Sequence, residues 1–248
     1  MKQKMIFGFH SVLARLRAQP NSVVEIYLDE RRQDGRAKNL VLIADQLGRH
    51  VRRVSAARLD GLINTGRHQG VIAKILWTPQ QANLDDLLDE INEPPLLLVL
   101  DGVTDPHNLG ACLRVADAAG VHAVIAPRDR AAGIGATVSK VASGAAESVP
   151  YFMVTNLART LSELKERNIW IVGADEREGP SLFQADLPIA IAWTLGAEGS
   201  GLRHLTRERC DQVVSIPMRG SVSSLNVSVA SGVCLFESVR RRLEQGAI

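Results

Sequence analysis

The chain has 248 residues, 46% of them hydrophobic, and a nearly even charge balance of 29 Lys and Arg against 27 Asp and Glu. That supplies one large core or two modest ones, and no apolar run approaches the length of a membrane span. Three widely spaced cysteines, Cys112, Cys210 and Cys234, offer neither a disulfide framework nor a zinc spacing, and the first residues lack the apolar stretch of a signal peptide; a reducing, cytoplasmic setting is therefore expected.

Charge is distributed unevenly. Residues 1–76 carry fourteen basic and six acidic side chains, residues 77–95 carry five acids and no base, and residues 96–248 are close to neutral. A basic segment joined to a neutral body reads as a polyanion-binding module attached to a second domain. Aromatic residues make up only 4% of the chain, which argues against base-stacking platforms of the single-strand type.

In chain order, "FGFHSVLARLRAQ" has helical spacing, "VVEIYLD" reads as a strand, and "GRAKNLVLIADQLG" as a helix ending near Gly48. "HVRRVS" predicts a strand, "AARLDGLIN" a short helix and "QGVIAKIL" a strand, completing a small α/β unit over residues 1–76. The acid-rich segment 77–95 has prolines at both ends and reads as a linker holding one short helix. From residue 96 strands and helices alternate. "LLLVLDG" has almost no polar interruption, as expected of a strand covered on both faces. "DPHNLGACLRVADAAG" reads as a helix with Asp105 at the N-cap, Pro106 at the first position and Gly120 closing it. "VHAVIAP" predicts a strand, "IGATVSKVASGAAES" one helix of small residues and "VPYFMV" a strand. A helix in "NLARTLSELKERN" follows, then strands in "IWIVGA", "IAIAWTLG" and "QVVSIP", and a last helix from about Asn226 to Gln245. This alternation predicts a parallel sheet of about six strands with ligands at their carboxyl ends.

No dinucleotide-binding glycine fingerprint after the first strand of the second domain, P-loop, HExxH or GxSxG motif is present, which counts against nicotinamide enzymes, P-loop NTPases, zincins and α/β-hydrolases. Three segments at predicted strand ends remain. "LGAEGSGL" carries Gly196, Gly199 and Gly201 around Glu198; it is either a simple turn or a loop that lets backbone approach a ligand. "NLGACLR" carries Asn108 and Arg114; the guanidinium suits a phosphate or a surface partner such as Asp117, and His107 before it suits a cap or an RNA contact. "MRGSVSSLNVSVASG" offers Ser221, Ser223, Ser224 and Asn226 as caps of the last helix, with Ile216 and Leu225 as apolar walls for a flat ring.

Taken together, "NLGACLR", "LGAEGSGL" and "SIPMRGSVSSLNVSVA" resemble the signature segments of the SpoU/TrmH branch of the SPOUT RNA methyltransferases, in that family's order. "FGFHSVLARL" and "GRHQGVIA" resemble its N-terminal RNA-binding module, which is itself similar to a small ribosomal protein. The resemblance covers nearly the whole chain and lies nearest to members acting on a guanosine ribose of 23S rRNA. It implies an α/β methyltransferase domain over 96–248 with a C-terminal trefoil knot, a substrate-binding domain over 1–76, S-adenosylmethionine as cofactor, a homodimer, and no metal. The implied catalytic residues are Arg114, Glu198, Ser224 and Asn226. Leu195, Gly196, Ile216, Met218 and Leu225 are implied to hold the cofactor. Arg67, His68 and Asn108 are expected to contact RNA, supplied as 23S rRNA or a large-subunit assembly intermediate. A tRNA ribose methyltransferase and a catalytically idle RNA-binding protein are the alternatives.

Overall fold

A computed structural model of the protein describes residues 2–63, 68–77, 83–175, 179–197, 199 and 201–247. The chain forms two compact units, one of Met1–Ala82 with Ser143–Ser148, the other of Asn83–Ala142 with Val149–Ile248.

The first unit is a four-stranded sheet in the order β1-β4-β2-β3, built from β1 (Lys2–Phe7), β2 (Val23–Asp29), β3 (Val51–Val54) and β4 (Val71–Trp77). Strand β4 runs antiparallel to both β1 and β2, while β2 and β3 are parallel. Helices α1 (Phe9–Ala18), α2 (Gly35–Gln46) and α3 (Ala56–Leu62) connect them, with a single 3-10 turn at Pro20–Ser22. Phe9, Val12, Leu16, Ile26, Leu28 and Leu40 are buried in one core against this sheet. Asp34 caps α2 by accepting from the N–H groups of Arg36 and Ala37, an ordinary use of a short carboxylate at an N-terminus. Arg31, Arg36, Arg52, Arg53 and Arg58 are exposed on this unit.

The second unit is a six-stranded sheet in the order β10-β8-β9-β5-β6-β7, parallel in every pairing. Its strands are β5 (Leu96–Asp101), β6 (Ala123–Pro127), β7 (Tyr151–Val154), β8 (Trp170–Ala174), β9 (Ile191–Gly196) and β10 (Gln212–Val214). Every residue of β5 is buried, matching its unbroken apolar reading and its place inside the sheet. Helices α4 (Leu84–Glu90), α5 (Pro106–Ala118), α6 (Ala136–Ala142), α8 (Leu157–Glu166), α9 (His204–Arg209) and α10 (Val227–Glu244) belong to this unit; α7 (Ala145–Ser148) belongs to the first. Trp193, fully buried, satisfies its indole N–H on Ser238 of α10 at 2.8 Å. Arg242, 3% exposed, donates to the carbonyls of Pro94 and Ile189, so a buried guanidinium ties α10 to the chain ahead of β5 and β9.

The structure differs from the sequence reading in two places. The small-residue helix over 134–148 is two helices, because Ser143 and Gly144 have φ of 53° and 104° and end α6. A Cβ at Gly144 would stand 2.9 Å from that of Ala14, so glycine also permits the close approach to α1. Second, residues 2–7 form an additional strand, β1, at the sheet edge. No helix among the described residues is long and apolar enough to cross a membrane.

Candidate active site

The carboxyl ends of β8 and β9 open onto a cleft of about 770 Å³, counting the solvent at its mouth. Its walls come from three segments distant in sequence: Ala174 at the end of β8 with Asp175; Leu195, Gly196, Ala197, Gly199 and Gly201 at and beyond the end of β9; and Ile216, Met218, Ser223, Ser224 and Leu225 leading into α10, which adds Val227 and Ala230. Leu195, Gly196, Ile216, Met218 and Leu225, expected to hold a cofactor, all line this one cleft, and so does Ser224.

Local backbone chemistry explains the shape. Gly196 ends β9, and the chain returns across it at once: Gly201 N–H donates to the carbonyl of Ala197 at 2.9 Å. A Cβ on Gly196 would lie 2.0 Å from the Gly201 carbonyl carbon, so only glycine fits. Gly199 and Gly201 have φ of 78° and 66°, a region glycine enters without a Cβ penalty. The result is a wall made largely of backbone, beside the apolar side chains of Leu195, Ile216, Leu225 and Val227. Backbone donors and acceptors next to apolar faces suit a purine ring and its edge. Asp175 is the one charged side chain among the described residues lining the cleft, and it is paired with Arg207 of α9 at 2.5 Å.

The rim is set by α5 and α10. Asn226 occupies the N-cap of α10, its Oδ1 accepting from the N–H of Ser228 at 2.9 Å and from that residue's hydroxyl at 2.6 Å. Its Nδ2 donates to Oδ1 of Asn108 on α5 at 2.9 Å. Asn226 thus joins two helices while sitting one residue from Leu225 of the cleft. The candidate caps in the serine run are resolved in favour of Asn226, and Ser223 and Ser224 face the cleft instead. Asp105 caps α5 by accepting from the His107 N–H at 3.0 Å, which accounts for the turn at His107. Arg114 is exposed on α5, with no hydrogen bond or ion pair among the described residues.

Glu198 and Arg67 lie outside the described residues. His68 is largely buried: its Nδ1 accepts from the N–H of Gly70 and its Nε2 donates to Asp60, both at 3.0 Å. Both ring nitrogens are therefore engaged in shaping the turn into β4. Sequence reading missed Asp175 and Ala174 as cleft residues. They end β8 at the same sheet edge as the glycine loop, so the strand-end rule that picked out the other three segments also reaches them.

Comparison with known proteins identifies the family. Residues 95–236 match the SpoU rRNA methylase family, and residues 5–76 match the substrate-binding domain of RNA 2′-O ribose methyltransferases. The chain is 59% identical over 239 residues to the 23S rRNA (guanosine-2′-O-)-methyltransferase RlmB of Bordetella pertussis, covering 96% of this chain and 98% of that protein. It is 54% identical to the protein of that name from Neisseria meningitidis serogroup B, covering 97% and 96% of the two chains. Among solved structures it is similar to the SpoU methyltransferase AviRb from Streptomyces viridochromogenes in complex with AdoMet, with TM-score 0.75, 25% identity, and 98% of this chain and 91% of that one covered.

Proposed function

The chain belongs to the SpoU rRNA methylase family, and from that premise we propose that it transfers a methyl group from S-adenosylmethionine to the 2′-hydroxyl of a guanosine ribose in 23S rRNA. The observation that carries this reading is the juxtaposition of a backbone-walled, apolar cleft with the Asn226–Asn108 pair at its rim. The near full-length identity to curated guanosine-2′-O-methyltransferases of 23S rRNA supports the choice of RNA and base.

S-adenosylmethionine, when bound, supplies an electrophilic methyl group, so no covalent enzyme intermediate is required. The residues of this chain then have an alignment task. Leu195, Ile216 and Leu225 hold the adenine face, with Gly196 and Met218 completing the pocket. Asn226 and Ser224 orient the ribose by hydrogen bonds. Arginine keeps its charge in proteins and offers a planar pair of donors, so Arg114 serves as a clamp on the adjacent phosphate and stabilises negative charge developing on the 2′ oxygen. Glu198 is assigned to the same centre by its place in the signature segment. The knotted path is the family's, and the backbone passes closely at Gly196 and at Gly179, whose Cβ position lies 2.1 Å from the Val213 carbonyl oxygen.

The first unit, residues 1–76 in sequence terms, selects the RNA, with the exposed arginines of β3 and α3 and with Arg67 supplying phosphate contacts; His68 shapes the turn into β4. Val229, Phe236 and Leu243 form an exposed apolar stripe on α10 at seven-residue spacing, which suits pairing with a second copy of the chain.

Mapping ribose methylation in 23S rRNA from cells with and without the protein tests the reading. One 2′-O-methylguanosine disappears in its absence. An unchanged 23S map with a lost tRNA ribose methyl would assign the protein to tRNA instead.

A further inference from the structure

We infer that Asp101 and Arg203 form a latch that holds the glycine loop in its cofactor-binding shape, a role that rests on the methyltransferase reading above. Asp101 is the last residue of β5, its side chain is 0% exposed, and it sits beside Gly196 in the β5–β9 register. Its Oδ2 accepts from the backbone N–H of Arg203 at 3.1 Å, and its Oδ1 stands 3.4 Å from Nε of the same residue. Arg203 immediately precedes α9 and ends the loop that Gly196 begins. One carboxylate thus lies next to the loop's first residue and grips both the backbone and the side chain of its last.

The neighbouring residue completes the device. Gly102 has φ of 88°, and a Cβ there would meet Arg203 Nη2 at 3.4 Å and the Ala197 Cβ at 3.6 Å. The guanidinium therefore lies across Gly102, against the start of the loop. Among the described residues Asp101 Oδ1 accepts no hydrogen bond, so the ion pair with Arg203 Nε at 3.4 Å is what compensates the charge on that oxygen. Separating a desolvated carboxylate from its one cation is unfavourable, and the loop cannot lift from the sheet end without doing so. Gly196, Ala197, Gly199 and Gly201 lie between the two anchor points and line the cleft. Asp101 and Arg203 themselves are not among its lining residues. They are positioning residues, and their effect on methyl transfer runs through cofactor affinity.

The test is isothermal titration of S-adenosylmethionine and S-adenosylhomocysteine into the full-length wild type, Arg203→Ala, Arg203→Lys and Asp101→Asn, with methyl-transfer kinetics on 23S rRNA for each. Arg203→Ala is expected to weaken cofactor binding and raise its KM about tenfold while the rate at saturating cofactor and the RNA affinity stay unchanged; Arg203→Lys recovers part of the loss. If Asp101→Asn fails to fold, Arg203→Ala still decides, because that side chain is 42% exposed and its removal leaves no cavity in the core. Wild-type cofactor affinity in Arg203→Ala overturns the latch, as does a lower saturated rate with unchanged affinity. A wild-type protein that binds no S-adenosylmethionine overturns the methyltransferase reading rather than the latch.

Discussion

Replacing Gly196 by alanine puts the central geometric element of the site to a direct test. The added Cβ would stand 2.0 Å from the Gly201 carbonyl carbon, 2.1 Å from its oxygen and 2.3 Å from the Leu202 nitrogen. All three are backbone atoms, so no side-chain rotation relieves the clash and the returning loop must move outward by more than an ångström. Overpacking of this kind costs about 1–3 kcal/mol. The site can shed that strain by opening the loop, and the cofactor then meets a mis-shaped wall. Binding of S-adenosylmethionine should weaken about tenfold to a hundredfold, with the far-ultraviolet circular dichroism of the fold retained. Gly220→Ala is the control, since nothing lies within 4 Å of a Cβ there. Calorimetric titration that finds Gly196→Ala equal to wild type would refute the claim that this close passage shapes the pocket.

The remaining predictions concern α10 and its surroundings. Asn226→Ala should lower Tm through loss of a helix cap worth about 1 kcal/mol and abolish most methyl transfer, whereas Asn226→Ser should restore Tm and leave activity low; full activity in the serine variant would show that capping is the residue's whole role. The side chains of Arg240 and then Arg241 hold the buried Glu237 carboxyl below its ordinary value of 4.5. Its contribution to stability is therefore present above that pH and lost as pH falls toward the depressed folded value, so the Tm gap between wild type and Glu237→Gln should narrow below about pH 4.5; a gap constant from neutral pH into acid contradicts the assignment. If the α10 stripe pairs two copies as proposed, the wild type should sediment as a dimer and Phe236→Asp as a monomer in sedimentation velocity; a monomeric wild type or an unchanged dimer in the variant would remove the stripe from the interface.

Where the chain's periodicity was strong, it was a sound guide. The apolar run at β5 and the alternation after it lead to six parallel strands, and the cap at Asp105 sits where its side chain and the following proline place it. Strand β1 was not legible because Lys2, Gln3 and Lys4 carry no alternation; its pairing with β4 is a long-range contact, and polar residues on an edge strand are common. The break at Ser143 and Gly144 was hidden in a run of helix-compatible small residues and follows from the close approach of α1. In the site, the three glycine- and serine-rich segments were recognisable as strand ends that converge. Which polar residue capped α10 was not, because Ser221, Ser223, Ser224 and Asn226 are chemically equivalent candidates. The Asp101–Arg203 pair spans 102 residues, a separation at which no local spacing rule operates.

Methyl transfer to a guanosine 2′-hydroxyl can be read by digestion to nucleosides after incubating the purified protein with methyl-labelled S-adenosylmethionine and 23S rRNA from cells lacking it. The label should appear in 2′-O-methylguanosine, at one position, and vanish with Arg114→Ala. Label in a base-methylated nucleoside, or none in the ribose, would contradict it.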